Sequence, residues 1–416
     1  MNRPGAGSTP QMILLTVAVT AAAYAGTTVS PLQETMRAAL HLTDDDMAIL
    51  QGPALALPMV ALALPLGFIV DRWVRVRLIV AFAACDLLGT LLTALAPGFA
   101  VLVIARGVIG LMTTAVNPVA LSLIADLFEA ERRGRATMIM ALGQTVGAAA
   151  AFGAGGALLG MMDSKAHGWR FVMLLLAVPL VPVLIASFAL KEPRRSGVVI
   201  VRPSLRETLG ELRLYRARVA PLMGGTVLAQ IALGAVLVWT APALSRVYAL
   251  PPERIGLVMA MVMLVSGIAG PAAGGFLADA CQRSGGPRRT LLALGLSTLI
   301  AVPMALFAAA PSVWVSSVLV ALFTSVISAS SVMGTTLLTI VVPNELRGLI
   351  LGIFAALSVL FSVGVAPMLV SRLSGIVGGP SMIGEALGAV CGGATLLACA
   401  IFGAALRGFP VQSGRA

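Results

Sequence analysis

Residues 219–244 read VAPLMGGTVLAQIALGAVLVWTAPAL and carry no charged side chain. Comparable runs fill the chain, near 12–31, 48–70, 78–96, 100–125, 136–161, 170–190, 255–278, 290–310, 312–340, 348–371 and 383–406. A hydrocarbon core about 30 Å thick takes about 20 apolar residues as a helix. No water reaches the backbone there, so a spanning segment must be a helix or part of a closed barrel. These runs are continuous rather than alternating, which selects helices. The expected fold class is all-α and integral to the membrane, with twelve transmembrane helices. A composition of 59% hydrophobic and 11% charged residues agrees, since a soluble domain carries about a quarter charged. AVTAAAYAG (17–25) has the outline of a secretory leader, but eleven further spans make it a first transmembrane helix.

The charges sort by loop. With both termini inside, the inner segments hold 21 of the 28 Lys and Arg, the outer loops hold six, and Arg106 lies within a span. Positive residues mark the cytoplasmic side, so both termini are expected there, in a bacterial inner membrane. The net charge of +11 then describes topology, and no nucleic-acid partner is expected. His41 and His167 are the only histidines, and Cys85, Cys281, Cys391 and Cys399 lack metal-ligand spacing. No metal, cofactor or catalytic group is expected, and the chain reads as no enzyme.

Two signatures recur half a chain apart. Gly67-x3-Asp71 returns as Gly275-x3-Asp279, and Arg133-Gly134 returns as Arg347-Gly348. The polar stretch 191–218 divides six spans from six and has the pattern of a loop ending in an amphipathic helix. The expected domains are a six-helix bundle at 1–190, a cytoplasmic loop at 191–218 and a pseudo-symmetric bundle at 219–416. Parallel repeats of this kind suit a transporter with two rocking bundles.

These residues resemble the major facilitator superfamily. Gly67-x3-Asp71-Arg72-x2-Arg75-x-Arg77 is similar to that family's loop between helices 2 and 3, and Arg106-x3-Gly110 to its helix-4 arginine motif. NPVALSLIADLFEAERRGRA (117–136), GWRFVMLLLAVP (168–179) and LKEPRR (190–195) resemble its spinster-like branch. The resemblance implies a secondary transporter moving a small organic solute by alternating access, as a monomer in the lipid bilayer. It also implies an Asp-Arg pair in helix 1 and a glutamate in helix 4. This chain has Ala25, Gly26 and Thr113 at or near those positions, so the acids of that proton scheme are absent.

Each charge near a span has a competing structural reading. Asp71 is expected to cap a helix N-terminus or pair with Arg133 or Arg135, latching one conformation. Gly67, Arg72 and Arg75 belong to the same latch, and Gly275 and Asp279, with Arg288 or Arg289, to its counterpart. Most other arginines serve topology alone. Arg106 is expected either to bind an anionic solute in a wet cavity or to bond backbone carbonyls. Asp86, the one acid well inside a span, pairs with Arg106 and couples protons or is a packing residue. Tyr24, Thr113, Asn117, Gln144, Gln230 and Trp239 are candidate lining. Lone Arg106 favours an organic anion; the alternatives are efflux of a lipid-like or drug-like molecule, and a non-transporting receptor on a transporter fold.

Overall fold

The computed structural model describes residues 8–162, 165–193 and 205–409. Fifteen α-helices account for the spans: α1 (Ser8–Thr27), α2 (Gln33–Ala39), α3 (Asp44–Gln51), α4 (Pro53–Arg72), α5 (Arg75–Leu95), α6 (Phe99–Leu127), α7 (Ala130–Gly160), α8 (Lys165–Ala177), α9 (Leu180–Ser187), α10 (Leu205–Tyr248), α11 (Pro252–Met304), α12 (Val313–Val341), α13 (Asn344–Ser358), α14 (Ala366–Val377) and α15 (Ile383–Ala405). Among the described residues no strand occurs.

Eleven stretches are long and apolar enough to cross a bilayer. One of them, Pro252–Ala309, runs to 58 residues, roughly 87 Å of helix at 1.5 Å per residue, far more than one crossing needs. It is two helices that meet at Gly285 and Gly286, where the backbone leaves helical values; Gly286 has φ 66°. The fold is therefore one of twelve spans, as the sequence predicts. The amphipathic helix expected at the end of the central loop continues without interruption from Leu205 into the seventh span.

Local chemistry sets the breaks. Thr43 opens α3 with a reciprocal cap: its hydroxyl accepts from Asp46 N–H, and the Asp46 carboxylate accepts from Thr43 N–H. Three aspartates, Asp44 to Asp46, follow in the first turn, where the helix dipole favours anions. Gly52, with φ −109° and ψ −104°, and Pro53 then break the second span between α3 and α4. The eleventh span is interrupted by a π-helical segment, Val359–Val365, just before Pro367.

The chain folds as two compact units. One holds Met1–Gly197 with Leu244–Leu264, the other Val198–Ala243 with Val265–Ala416. The hairpin Leu244–Leu264 thus packs with the first unit, which the boundary expected at 191–218 does not anticipate. Two glycines seat it there: a Cβ on Gly156 of α7 would lie 2.7 Å from Gly256 Cα, and one on Gly256 would lie 2.6 Å from the Phe152 carbonyl oxygen. Elsewhere in this unit α1 packs on α7 through Gly143 and Gly147, and α6 on α4 through Gly110. Small residues at such crossings let helix backbones approach where lipid provides no hydrophobic drive.

Candidate functional site

Arg106 sits in the first half of α6 and is 1% exposed. Its Nε donates to the Leu50 carbonyl at 3.3 Å, and its Nη2 donates to the Gly26 carbonyl at 3.1 Å. Both acceptors belong to helix ends. Leu50 lies in the last turn of α3, ahead of the Gly52 break, and Gly26 in the last turn of α1. The last carbonyls of a helix lack helical donors and carry the negative end of its dipole. One guanidinium therefore caps two helix ends. Its third nitrogen, Nη1, is buried without a hydrogen-bond partner.

Asp86 of α5 is 2% exposed, and its Oδ1 is also buried without a partner. A Cβ on Gly89 would lie 2.6 Å from Ile109 Cγ1 and 3.2 Å from the Ala105 carbonyl oxygen, so Asp86 and Arg106 occupy overlapping depths of the α5–α6 contact. No ion pair joins them: Arg106 reaches toward α1 and α3.

Thr113 follows Arg106 by two turns. Its hydroxyl donates to the Ile109 carbonyl at 2.9 Å. A Cβ on Gly26 would lie 3.6 Å from Thr113 Oγ1. Gly26, at or near the arginine position of the expected helix-1 Asp-Arg pair, therefore faces Thr113, at the position of the expected helix-4 glutamate. Gln144 of α7 donates through Nε2 to Asn117 Oδ1 of α6. Tyr24 is buried in the α1–α7 contact, where a Cβ on Gly147 would lie 3.2 Å from its backbone nitrogen. Five sequence candidates, Tyr24, Arg106, Thr113, Asn117 and Gln144, thus lie on the mutually packed α1, α6 and α7 of the first unit.

In the second unit, Trp239 is fully buried and its ring N–H donates to the Pro367 carbonyl at 3.0 Å. In this structure the indole's polar atom is used within the second unit. Gln230 is half-buried one helical face away on α10. A Cβ on Gly234 would lie 1.7 Å from the Ser362 carbonyl oxygen, so α10 rests directly on the π segment.

The surroundings of Gly67 and the side chain of Asp71 lie outside the described residues. Arg133 is turned onto the end of its neighbour α6, donating to Ala125 and Phe128 carbonyls at 2.7 and 3.0 Å; Arg72 and Arg135 are exposed. Arg75 is the buried member. It donates to Asp126 Oδ2 at 2.5 Å, Glu192 Oε1 at 2.7 Å and the Ser122 carbonyl at 3.0 Å. Glu192 also accepts from Val76 N–H at 2.9 Å, capping α5. Arg75 is thus a staple inside the first unit. The counterpart pair does not form: Asp279 is exposed without an ion pair among the described residues, and Arg289 donates to the Ser284 carbonyl at 3.0 Å. Gly275 has no heavy atom within 4 Å of a hypothetical Cβ, so no close approach demands a glycine there.

A second ion cluster escaped the sequence. Arg246, at the end of α10, grips Asp44 through Nη1 and Nη2, both at 2.7 Å, and Glu34 through Nη2 at 2.7 Å and Nε at 3.1 Å. Arg37 lies 3.5 Å from Glu34 and 3.7 Å from Asp44. Paired forks of this kind are the strong form of ion pair. The only advance signal was that acids of the first outer loop oppose an arginine at the end of the seventh span, and sequence separation hides that.

Residues 14–367 match the model of the Major Facilitator Superfamily. The chain belongs to that superfamily. Among solved structures it is similar to a bacterial homologue of the human lysosomal transporter Spinster, in inward-facing and unoccupied conformation, with TM-score 0.80 and 20% identity over 97% of this chain and 98% of that one. A D-xylose–proton symporter matches with TM-score 0.72 and 17% identity over 94% and 97%. A nucleoside transporter matches with TM-score 0.74 and 12% identity over 95% and 99%. At these identities the likeness is one of fold. No curated protein matches by sequence.

Proposed function

We propose that this major facilitator protein is a secondary active transporter of a small organic anion, working by alternating access in a bacterial inner membrane with both termini cytoplasmic. The observation that carries the substrate class is Arg106. Its guanidinium is buried, no carboxylate among the described residues neutralises it, and Nη1 still has a donor to give. A buried cation of this kind persists when its interactions offset a desolvation cost of several kcal/mol. Two carbonyls supply part of that, and an anionic group of the solute supplies the rest. Thr113, Asn117, Gln144 and Tyr24 are neutral hydrogen-bonding groups on the same helices.

The Arg246 cluster supports alternating access. It fastens the hairpin Leu244–Leu264 to α2 and α3, beside the Gly156–Gly256 contact. On the expected topology that end faces outside, and breaking and re-forming these ion pairs would let the hairpin move within the first unit.

A second reading, export of an amphipathic lipid-like molecule, is favoured by the two carbonyl bonds of Arg106, which make it a helix cap. Thermal stabilisation of the purified protein by organic anions, hydrophobic cations and lysolipids separates the two, each shift being measured from that protein's own baseline. The anion reading expects organic anions to raise the melting temperature of the wild type but not of Arg106→Ala. Equal stabilisation of both proteins by lysolipids or hydrophobic cations alone overturns it in favour of export.

A further inference from the structure

The second unit contains a cavity of about 280 Å³ lined by Arg218, Gly285, Pro287, Arg288, Ile340, Val341, Gly408 and Phe409. Two arginines enter it and, among the described residues, no acid does. Neither guanidinium has a hydrogen bond or an ion pair among the described residues; Arg218 lies over the Phe409 ring at 6.0 Å. Two like charges beside one small space repel each other; Arg218 is exposed and Arg288 half-buried. An arrangement of this kind is stable when an anion sits between them.

The floor of the cavity is held in shape. The break between the two helices of α11 places Pro287 at the first turn of a helix whose N–H groups have no helical acceptors. Gln282 Nε2 donates to Thr290 Oγ1 at 2.9 Å across the break, and Arg289 Nη1 donates to the Ser284 carbonyl at 3.0 Å. Gly286, at φ 66°, makes the turn that a side chain would strain. Free amides at a helix start beside two forked guanidiniums match the tetrahedral oxygens of a phosphate. The volume falls at the lower edge of the roughly 300–1,000 Å³ of small-molecule pockets, which fits a headgroup or a small ester rather than a bulky solute.

We propose that this cavity is a phosphate-binding site, taking either the headgroup of an anionic phospholipid or a small soluble phosphate ester. It is independent of the solute reading, since none of its lining residues lies on the helices of Arg106. Apolar Ile340, Val341 and Phe409 beside the arginines give a phospholipid's glycerol and first acyl carbons a surface.

The test measures the melting temperature of the delipidated protein in neutral detergent with phosphatidylglycerol, phosphatidylcholine or glycerol 3-phosphate. The proteins are the wild type, Arg218→Gln/Arg288→Gln and Arg283→Ala, the last removing an exposed charge outside the cavity. Native mass spectrometry of the wild type counts bound lipid. The expected result is a rise of about 3–5 °C with one anionic probe, kept in Arg283→Ala and lost in the double variant. Phosphatidylglycerol alone, retained as one copy, assigns a lipid; glycerol 3-phosphate acting equally assigns a soluble ester. If the double variant fails to fold, the single variants Arg218→Gln and Arg288→Gln must each lose at least half of the shift. The proposal is overturned if no probe stabilises the wild type, or if the shift persists without the two arginines.

Discussion

Two arginines at buried positions, Arg75 and Arg106, show what a charge is for inside a largely apolar chain. Arg106 has no counter-ion among the described residues and ties two helix ends; Arg75 is 2% exposed and meets Asp126 and Glu192. Breaking either should be costly for a different reason. Arg106→Ala leaves the Leu50 and Gly26 carbonyls without their donor, a loss of about 1–3 kcal/mol for each group. Arg106→Lys, which offers one donor point instead of a fork, should recover only part of this. Arg75→Ala leaves two carboxylates facing each other without a cation, at roughly 3 kcal/mol. The neutralising triple variant Arg75→Met/Asp126→Asn/Glu192→Gln should be more stable than Arg75→Ala alone. Thermal unfolding in detergent checks both; an Arg75→Ala protein that melts with the wild type removes the staple.

At the level of helices, the glycine positions carry the most information. α10 meets the π segment where Gly234 leaves 1.7 Å between a hypothetical Cβ and the Ser362 oxygen, and α7 meets α1 where Gly147 leaves 2.2 Å to the Thr20 oxygen. Neither neighbour is a flexible side chain, so backbones must separate to admit a methyl group. Gly234→Ala and Gly147→Ala are expected to reduce the yield of monodisperse protein several-fold on size-exclusion chromatography. Gly275→Ala, with open space around its Cβ, should be recovered at the wild-type level. This reverses the weight that the repeated Gly-x3-Asp pattern gives to Gly275. The helix breaks were only partly readable. Gly285-Gly286-Pro287 falls between two expected spans, but the expected span 48–70 runs straight through Gly52-Pro53, and the π segment has no sequence mark beyond Pro367, since it follows from accommodating α10.

For the molecule as a whole, the cluster of Arg246, Glu34, Arg37 and Asp44 sets how firmly the hairpin Leu244–Leu264 holds to the first unit. Its members are 10–28% exposed, so solvent screening reduces its strength to roughly 1–3 kcal/mol. That corresponds to about a 5- to 150-fold shift of a two-state equilibrium. Arg246→Gln should raise hydrogen exchange at 33–46 and 244–256 about tenfold, with the spans' central amides unchanged. In proteoliposomes it should alter transport rate more than solute affinity. Unchanged exchange at both segments would remove the cluster from the conformational cycle.

Twelve runs of apolar residues determined by themselves that the chain is a helical membrane protein, because lipid leaves the backbone no other way to satisfy its polar groups. Short motifs around Asp71 and Arg106 were enough to point to the superfamily. Partnership was decided by tertiary structure. Arg106 turned to carbonyls rather than to Asp86, and Arg133 to its own neighbouring helix end. Arg246 met acids more than 200 residues away in sequence. Hydropathy fixes which segments cross the membrane, but it is nearly blind to rotation about a helix axis. Rotation is set by close packing of small residues and by the need of each buried polar group for a partner, and both depend on neighbours that only the folded chain supplies.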